Sequence, residues 1–137
     1  MSELPFWYNT AMAAPSEYAT VKVDDIDIAY TTWGKVGNPG IVLIHGSNAH
    51  MEWWRFTAPF LADNFRIAAL DLSGNGNSGW RERYSGEAFA KEVWAVCEAA
   101  ELGPKPIVVG HSFGGFAALE AAHRFGEQMS GVLFMDF

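Results

Sequence analysis

Apolar residues fall along this chain in two textures. In the first quarter they alternate with polar ones. Ile26, Ile28 and Tyr30 recur every second position, and with the run Ala19–Val23 they predict a hairpin of two strands, 19–23 and 26–31. Asp24-Asp25 is the turn pair, and the alternation fits a hairpin with one buried face. Residues 34–40 hold three glycines and Pro39 and read as a loop, and residues 1–18 as a loose start. After that loop the alternation stops. Ile41–Ile44, Arg66–Leu70, Ile107–Val109 and Val132–Met135 are short, nearly continuous apolar runs, which fit strands covered on both faces of a parallel sheet.

Helical spacing appears between these runs. Phe89, Val93, Val96, Cys97 and Ala100 form one stripe at intervals of three and four, predicting a helix over 87–102. Ser85 is its N-cap and Gly103-Pro104 its stop. A second stripe of Gly114, Ala117, Ala118, Ala121, Ala122 and Phe125 predicts a helix over 113–125. Its small side chains allow close approach to a sheet. His123 and Arg124 suit its negative dipole end, and Gly126 reads as its terminator. Strand alternating with helix defines an α/β, mostly parallel, doubly wound sheet carrying an N-terminal antiparallel hairpin.

Composition narrows the partners. Half of the 137 residues are hydrophobic and 18% are charged, enough to fill a core and too apolar for a disordered chain. Nine basic against sixteen acidic residues give a net charge of −7 with no Lys or Arg run, which argues against a nucleic-acid partner. Cys97, the single cysteine, sits in the first helical stripe and reads as a small core residue rather than a nucleophile. The first fifteen residues lack the basic start and apolar run of a secretory signal, and no window approaches the ~20 apolar residues of a membrane span. The expectation is a cytoplasmic protein away from membranes. Phe6, Trp7 and Tyr8 are expected to pack back on the domain rather than dock elsewhere.

Chemistry enters at Gly110-His111-Ser112-Phe113-Gly114, which follows a buried strand and opens a helix. That context is what a G-x-S-x-G nucleophile elbow requires. A turn this tight excludes side-chain bulk on either side, lifts the serine hydroxyl above the sheet, and leaves it at a helix N-terminus that favours developing negative charge. Acyl transfer also needs two donors where the carbonyl oxygen becomes an oxyanion. The N–H of Phe113 is one, and the N–H of Ser47 the other, because Gly46 lets the loop after Ile41–Ile44 turn over the site. His45 reads as a structural imidazole bonding loop backbone. Trp53, Trp54 and Phe56 are candidates for an apolar acyl pocket or for plain packing on the sheet, and Asn48 and His111 join Trp53 as candidate substrate contacts. Gly74, Gly76 and Gly79 match a dinucleotide-loop pattern but are not followed directly by an apolar helix, so Asp71 and these glycines read as a capped strand-end loop.

Together, His45-Gly46, Asp71-x-x-Gly74-x-Gly76-x-Ser78 and Gly110-His111-Ser112-Phe113-Gly114-Gly115 resemble, in order and spacing, the N-terminal half of the α/β-hydrolase superfamily. The resemblance implies residues 1–18 as an N-terminal extension and 19–137 as half of a hydrolase domain. It also implies Ser112 as nucleophile, Ser47 and Phe113 as oxyanion-hole amides, and no metal or organic cofactor. Relatives with aspartate at the nucleophile position are dehalogenases and epoxide hydrolases, and Ser112 argues against both. Serine members act on esters, lactones, amides or diketone carbon–carbon bonds, or serve as cofactor-free perhydrolases. Some proteins of this fold are non-catalytic ligand-binding modules, and a truncated, inactive product is a third reading.

A serine needs a histidine base held by an acid. The only histidine after Ser112 is His123, roughly 16 Å along the predicted helix at 1.5 Å per residue. Asp136 is a candidate acid, since some members of the superfamily carry theirs just after this strand, or it is a strand-end cap. The resemblance implies further strands and a cap. Without them Val132–Met135 stands as an apolar sheet edge. The expected partners are therefore a small-molecule substrate and a complementary C-terminal polypeptide or second chain that supplies the base.

Overall fold

One six-stranded sheet has a core on each face, and the computed structural model describes residues 3–137. Six strands, β1 (Glu17–Val23), β2 (Ile26–Trp33), β3 (Gly40–Ile44), β4 (Arg66–Leu70), β5 (Ile107–His111) and β6 (Gly131–Met135), lie in the order β1-β2-β4-β3-β5-β6. β1 and β2 form the expected antiparallel hairpin, β2 is antiparallel to β4, and β4, β3, β5 and β6 run parallel.

The continuous apolar runs explain the two-sided burial. Along β3, Val42 and Ile44 enter one core while Ile41 and Leu43 enter the other; along β4, Ala68 and Leu70 alternate with Ile67 and Ala69 in the same way. The first core is closed by α2 (Gly86–Ala99) and α3 (Phe113–Phe125), the second by two 3-10 turns, Met51–Trp54 and Ala58–Leu61. Fully burying a residue such as Ile44 or Leu70 contributes about 1.5–3 kcal/mol, so these strands anchor whatever their ends carry.

The hairpin departs from the one-faced expectation. Only β1 alternates; β2 is buried on both faces from Ile28 onward because it is an interior strand, flanked by β1 and β4. Residues 6–13, where no apolar stripe marks a helix, form α1 (Phe6–Ala13). Ala11 is fully buried there, Tyr8 stacks on Phe56 at 5.0 Å and Trp7 meets the same ring edge-on at 5.8 Å, while Phe6 stays 86% exposed.

α2 starts where expected, with Ser85 Oγ accepting the Ala88 N–H at 3.1 Å. It stops early. Glu101 takes the left-handed conformation (φ 56°), its N–H donates to Glu98 and that of Leu102 donates to Cys97, both at 3.1 Å. This is a Schellman ending in which glutamate stands where glycine is usual, held there by the burial of Leu102. At the end of α3, Gly126 stays right-handed and leads into a further 3-10 turn, Gly126–Gln128. Among the described residues, no helix is long and apolar enough to cross a membrane.

Candidate active site at the carboxyl ends of the strands

Ser112 alone connects β5 to α3. Its backbone lies at φ 52°, ψ −118°, a conformation that costs an L-residue about 1–3 kcal/mol. Two hydrogen bonds hold it there. The Ser112 N–H donates to the Met135 carbonyl at 2.9 Å, and the Ser112 carbonyl accepts the Gly115 N–H at 2.8 Å. The side chain makes no capping bond to the helix, so the half-buried hydroxyl is not committed to the backbone.

The flanking glycines are required by contact. A Cβ on Gly110 would sit 2.2 Å from the Gly114 carbonyl oxygen, and one on Gly114 would sit 2.4 Å from that of Ile44. Any side chain at either position would push α3 off β5 or β3. The loop after β3 comes equally close. A Cβ on Gly46 would lie 3.3 Å from the Ser112 Cβ and 3.1 Å from His111 Nδ1. The backbone of the first loop thus passes directly over the serine.

Residues 46–50 leave donors free. Neither the Ser47 N–H nor the Phe113 N–H donates to a backbone carbonyl among the described residues; Phe113, as the first residue of α3, has no partner within its helix. Ser47 and Asn48 are exposed, Asn48 with a left-handed backbone (φ 55°). Beneath them His45 is 2% exposed and bonded at both ring nitrogens. The Leu72 N–H donates to Nε2 at 3.0 Å, and Nδ1 lies 2.8 Å from the Gly46 carbonyl oxygen. Since Nε2 accepts, the proton is on Nδ1 and the ring is neutral. Burial holds this imidazole below its ordinary range, against the opposing pulls of the Gly46 carbonyl and Asp71.

The loop after β4 is stitched throughout. The Asp71 carboxylate, 1% exposed, accepts the Met51 N–H at 2.7 Å and the Asn77 N–H at 2.9 Å. Ser78 Oγ donates to the Asp71 carbonyl at 2.6 Å and accepts the Ala29 N–H at 2.8 Å. The three glycines of this segment serve that path, with Gly74 donating to the Gly79 carbonyl at 2.9 Å.

Sequence reasoning missed what lies behind this loop. Glu92, fully buried on α2, accepts the Ser73 N–H at 2.8 Å and pairs with Arg81 Nε at 2.8 Å, and Arg81 reaches Asp24 in the hairpin turn at 3.1 Å. The available signal was an acidic residue inside the stripe Phe89, Val93, Val96, where an unpartnered carboxylate is very costly. Cys97 is buried nearby in the core, and burial pushes its thiol up to about 12, in keeping with a packing role.

Two depressions flank the elbow. One, of about 240 Å³, is lined by His45, Gly46, Trp53, Trp54, Thr57, His111 and Met135. The other, of about 420 Å³, includes Ser47, Asn48, Trp80, Tyr84 and Phe113. Of the residues singled out from sequence, Trp53 and His111 therefore fall on one side of Ser112, and Asn48, Ser47 and Phe113 on the other. Phe56 turns away to pack against α1. Asp136 is exposed, in the left-handed conformation (φ 56°), one residue beyond the Met135 carbonyl that binds the Ser112 N–H. His123 lies in the last turn of α3 and His50 is exposed before the first 3-10 turn. Among the described residues, no three His, Cys, Asp or Glu side chains gather as a metal-binding set.

A mixed sheet with this strand order, a strained serine between strand and helix, and a strand-end loop crossing over it define a hydrolase-type scaffold. The chain belongs to the alpha/beta hydrolase fold family, whose model matches residues 39–137. It is 32% identical over 111 residues to lipase LipV of Mycobacterium tuberculosis, covering 81% of this chain and 42% of the lipase. It is 38% identical over 105 residues to protein phosphatase methylesterase 1 of Mus musculus, covering 72% of this chain and 27% of that protein. Among solved structures, a membrane phospholipase A superposes with a TM-score of 0.78 at 31% identity, over 87% of this chain and 39% of that one. The chain thus spans less than half the length of each of these relatives.

Proposed function

We propose that these residues carry the nucleophile and oxyanion hole of a serine hydrolase acting on small ester-like substrates, carboxylic esters or lactones. The observation that carries the reading is the backbone of Ser112, strained at φ 52° yet held by two hydrogen bonds, with its hydroxyl uncommitted and the Gly46 loop against it. Strain of this kind persists where the surroundings over-determine it, and such sites cluster at functional centres. The relatives named for lipase, phospholipase and methylesterase activities support an ester as substrate.

In this reading Ser112 Oγ bonds to the substrate carbonyl carbon while a histidine takes the hydroxyl proton. The carbonyl oxygen, now an oxyanion, accepts hydrogen bonds from the Ser47 and Phe113 amides. Collapse expels the alcohol, which receives the proton from that histidine, and leaves an acyl-enzyme that water hydrolyses by the same steps. The histidine comes from polypeptide outside residues 1–137, a further segment or a second chain, because His123 stands at the far end of α3. Asp136, beside the Met135 carbonyl, is the candidate acid within this chain. The apolar depression at Trp53 and Trp54 receives the acyl group. A cytoplasmic setting fits a buried, unpaired Cys97 thiol.

The test is labelling with a fluorophosphonate in the presence of the polypeptide that supplies the histidine. Ser112 is the expected adduct site, and Ser112→Ala loses labelling and about 10⁵-fold or more in kcat for a p-nitrophenyl ester. Turnover surviving in Ser112→Ala sinks the reading. Absence of any adduct with the site complete favours a ligand-binding protein instead.

A further inference from the structure

The imidazole beneath the first loop does more than fill space. A peptide unit is planar and trans, so its carbonyl and its N–H point in opposite directions. Whatever fixes the Gly46 carbonyl therefore aims the Ser47 N–H. That carbonyl is held by the Ala49 N–H at 3.3 Å and, more closely, by His45 Nδ1 at 2.8 Å. The ring is itself held by the Leu72 N–H from the other strand-end loop, a bond that demands a lone pair on Nε2. The chain of contacts runs from β4 through one neutral ring to the plane of one peptide.

We propose that His45, as its Nδ1–H tautomer, is a positioning residue that sets the Gly46–Ser47 peptide plane and thereby directs the Ser47 amide toward the oxyanion. The inference rests on the serine-hydrolase reading of Ser112 and Ser47. It assigns the fixing of that donor to one proton on one nitrogen. A ring that merely packed the loop would contribute through volume and through either bond alike.

Two substitutions separate the bonds. Asparagine places a donor near the Nδ1 position and keeps the bond to Gly46 while leaving the Leu72 N–H unpaired. Glutamine places an acceptor near Nε2, satisfies Leu72 and leaves the Gly46 carbonyl without its imidazole donor. Removing an oxyanion donor outright costs about 10²–10³ in kcat, and misaiming one costs less. In the protein assembled with its histidine-bearing polypeptide, His45→Gln is expected to lose about tenfold or more in kcat for a p-nitrophenyl ester at unchanged KM. His45→Asn retains kcat within about threefold of wild type although its melting temperature falls as far as that of His45→Gln. Equal losses of kcat in the two variants, or losses that follow the folded fraction, overturn the proposal. The ring nitrogens of the unsubstituted protein give a second measure that needs no variant to fold. ¹⁵N spectra at neutral pH should show His45 Nδ1 protonated and Nε2 bare, and the reverse tautomer overturns the proposal as well. Failure of the hydrolase reading has its own mark, turnover that persists without Ser112.

Discussion

The loops that follow β3 and β4 lie side by side at the same end of the sheet, yet they are bonded in opposite ways. The second, residues 71–79, is built around acceptors aimed inward. Asp71 takes two amides, Ser78 bridges to β2, and Glu92 reaches Ser73 from α2. The first, residues 46–50, is held at the Gly46 carbonyl by His45 and the Ala49 N–H, and its Ser47 N–H has no hydrogen-bond partner among the described residues. Both are rich in turn-forming residues, and sequence alone gives them a similar look. The difference is in where unsatisfied donors are left. An unpaired amide is tolerated at Ser47 because that residue is exposed to solvent, whereas the neighbouring loop leaves few, and so it reads as scaffold for the first.

If that contrast holds, the largest loss of stability comes from the scaffold loop and leaves the elbow intact in outline. Asp71→Ala removes a buried carboxylate that accepts two backbone amides, and the change is expected to lower the unfolding free energy by about 3–5 kcal/mol. Urea denaturation measures it. A loss below about 1 kcal/mol would show that these amides find water without difficulty and that the second loop is no more committed than the first.

Much of this architecture could be read from residue spacing, and the parts that could not share a reason. β4 and α3 occupy the predicted residues because their patterns are local: an apolar run between polar flanks, and small residues every third and fourth position. The elbow was legible for the same reason, since glycine, serine and glycine fall within five residues. α1 was not, because its aromatic residues do not line one face, and it is seated by tertiary contacts such as the burial of Ala11 and the stack of Tyr8 on Phe56, more than forty positions away. The end of α2 escaped because Leu102 burial, a tertiary effect, holds Glu101 in a conformation that local preference assigns to Gly103. Arg81 and Glu92 pair across a turn and a helix, and no local period marks them. Features set by backbone geometry within a few residues were legible, and those that depend on a distant partner were not.

A smaller effect sharpens the contrast. Ser78→Ala deletes one hydroxyl that donates to Asp71 and accepts from Ala29, tying the second loop to β2. A loss of about 1–2 kcal/mol is expected, because the buried Ala29 N–H is left without its acceptor. Thermal unfolding of the variant checks this, and an unchanged midpoint would mean that the loop holds its path through Asp71 and Glu92 alone.

The smallest effect arises where the two loops join, at His45. Burial keeps the folded imidazole below its ordinary value of 6.5, with Gly46 and Asp71 pulling it up and His50 pushing it down. In the unfolded chain the same ring titrates near its ordinary value, so as pH falls the unfolded state binds the proton first. Stability from this group is therefore fully present above about pH 6.5 and drains away as acid is added, until the folded ring also protonates. The slope is at most about 1.4 kcal/mol per pH unit for one proton. Other groups titrate in the same range, and the difference in unfolding free energy between wild type and His45→Gln cancels most of them. That difference is expected to shift toward the variant between pH 7.5 and 5.5. A gap that moves the other way, toward the wild type as acid is added, would mean that the folded ring is already charged and has no lone pair on Nε2. The bond from Leu72 could not then hold, and the first loop would lose the imidazole contact that separates it from a free turn.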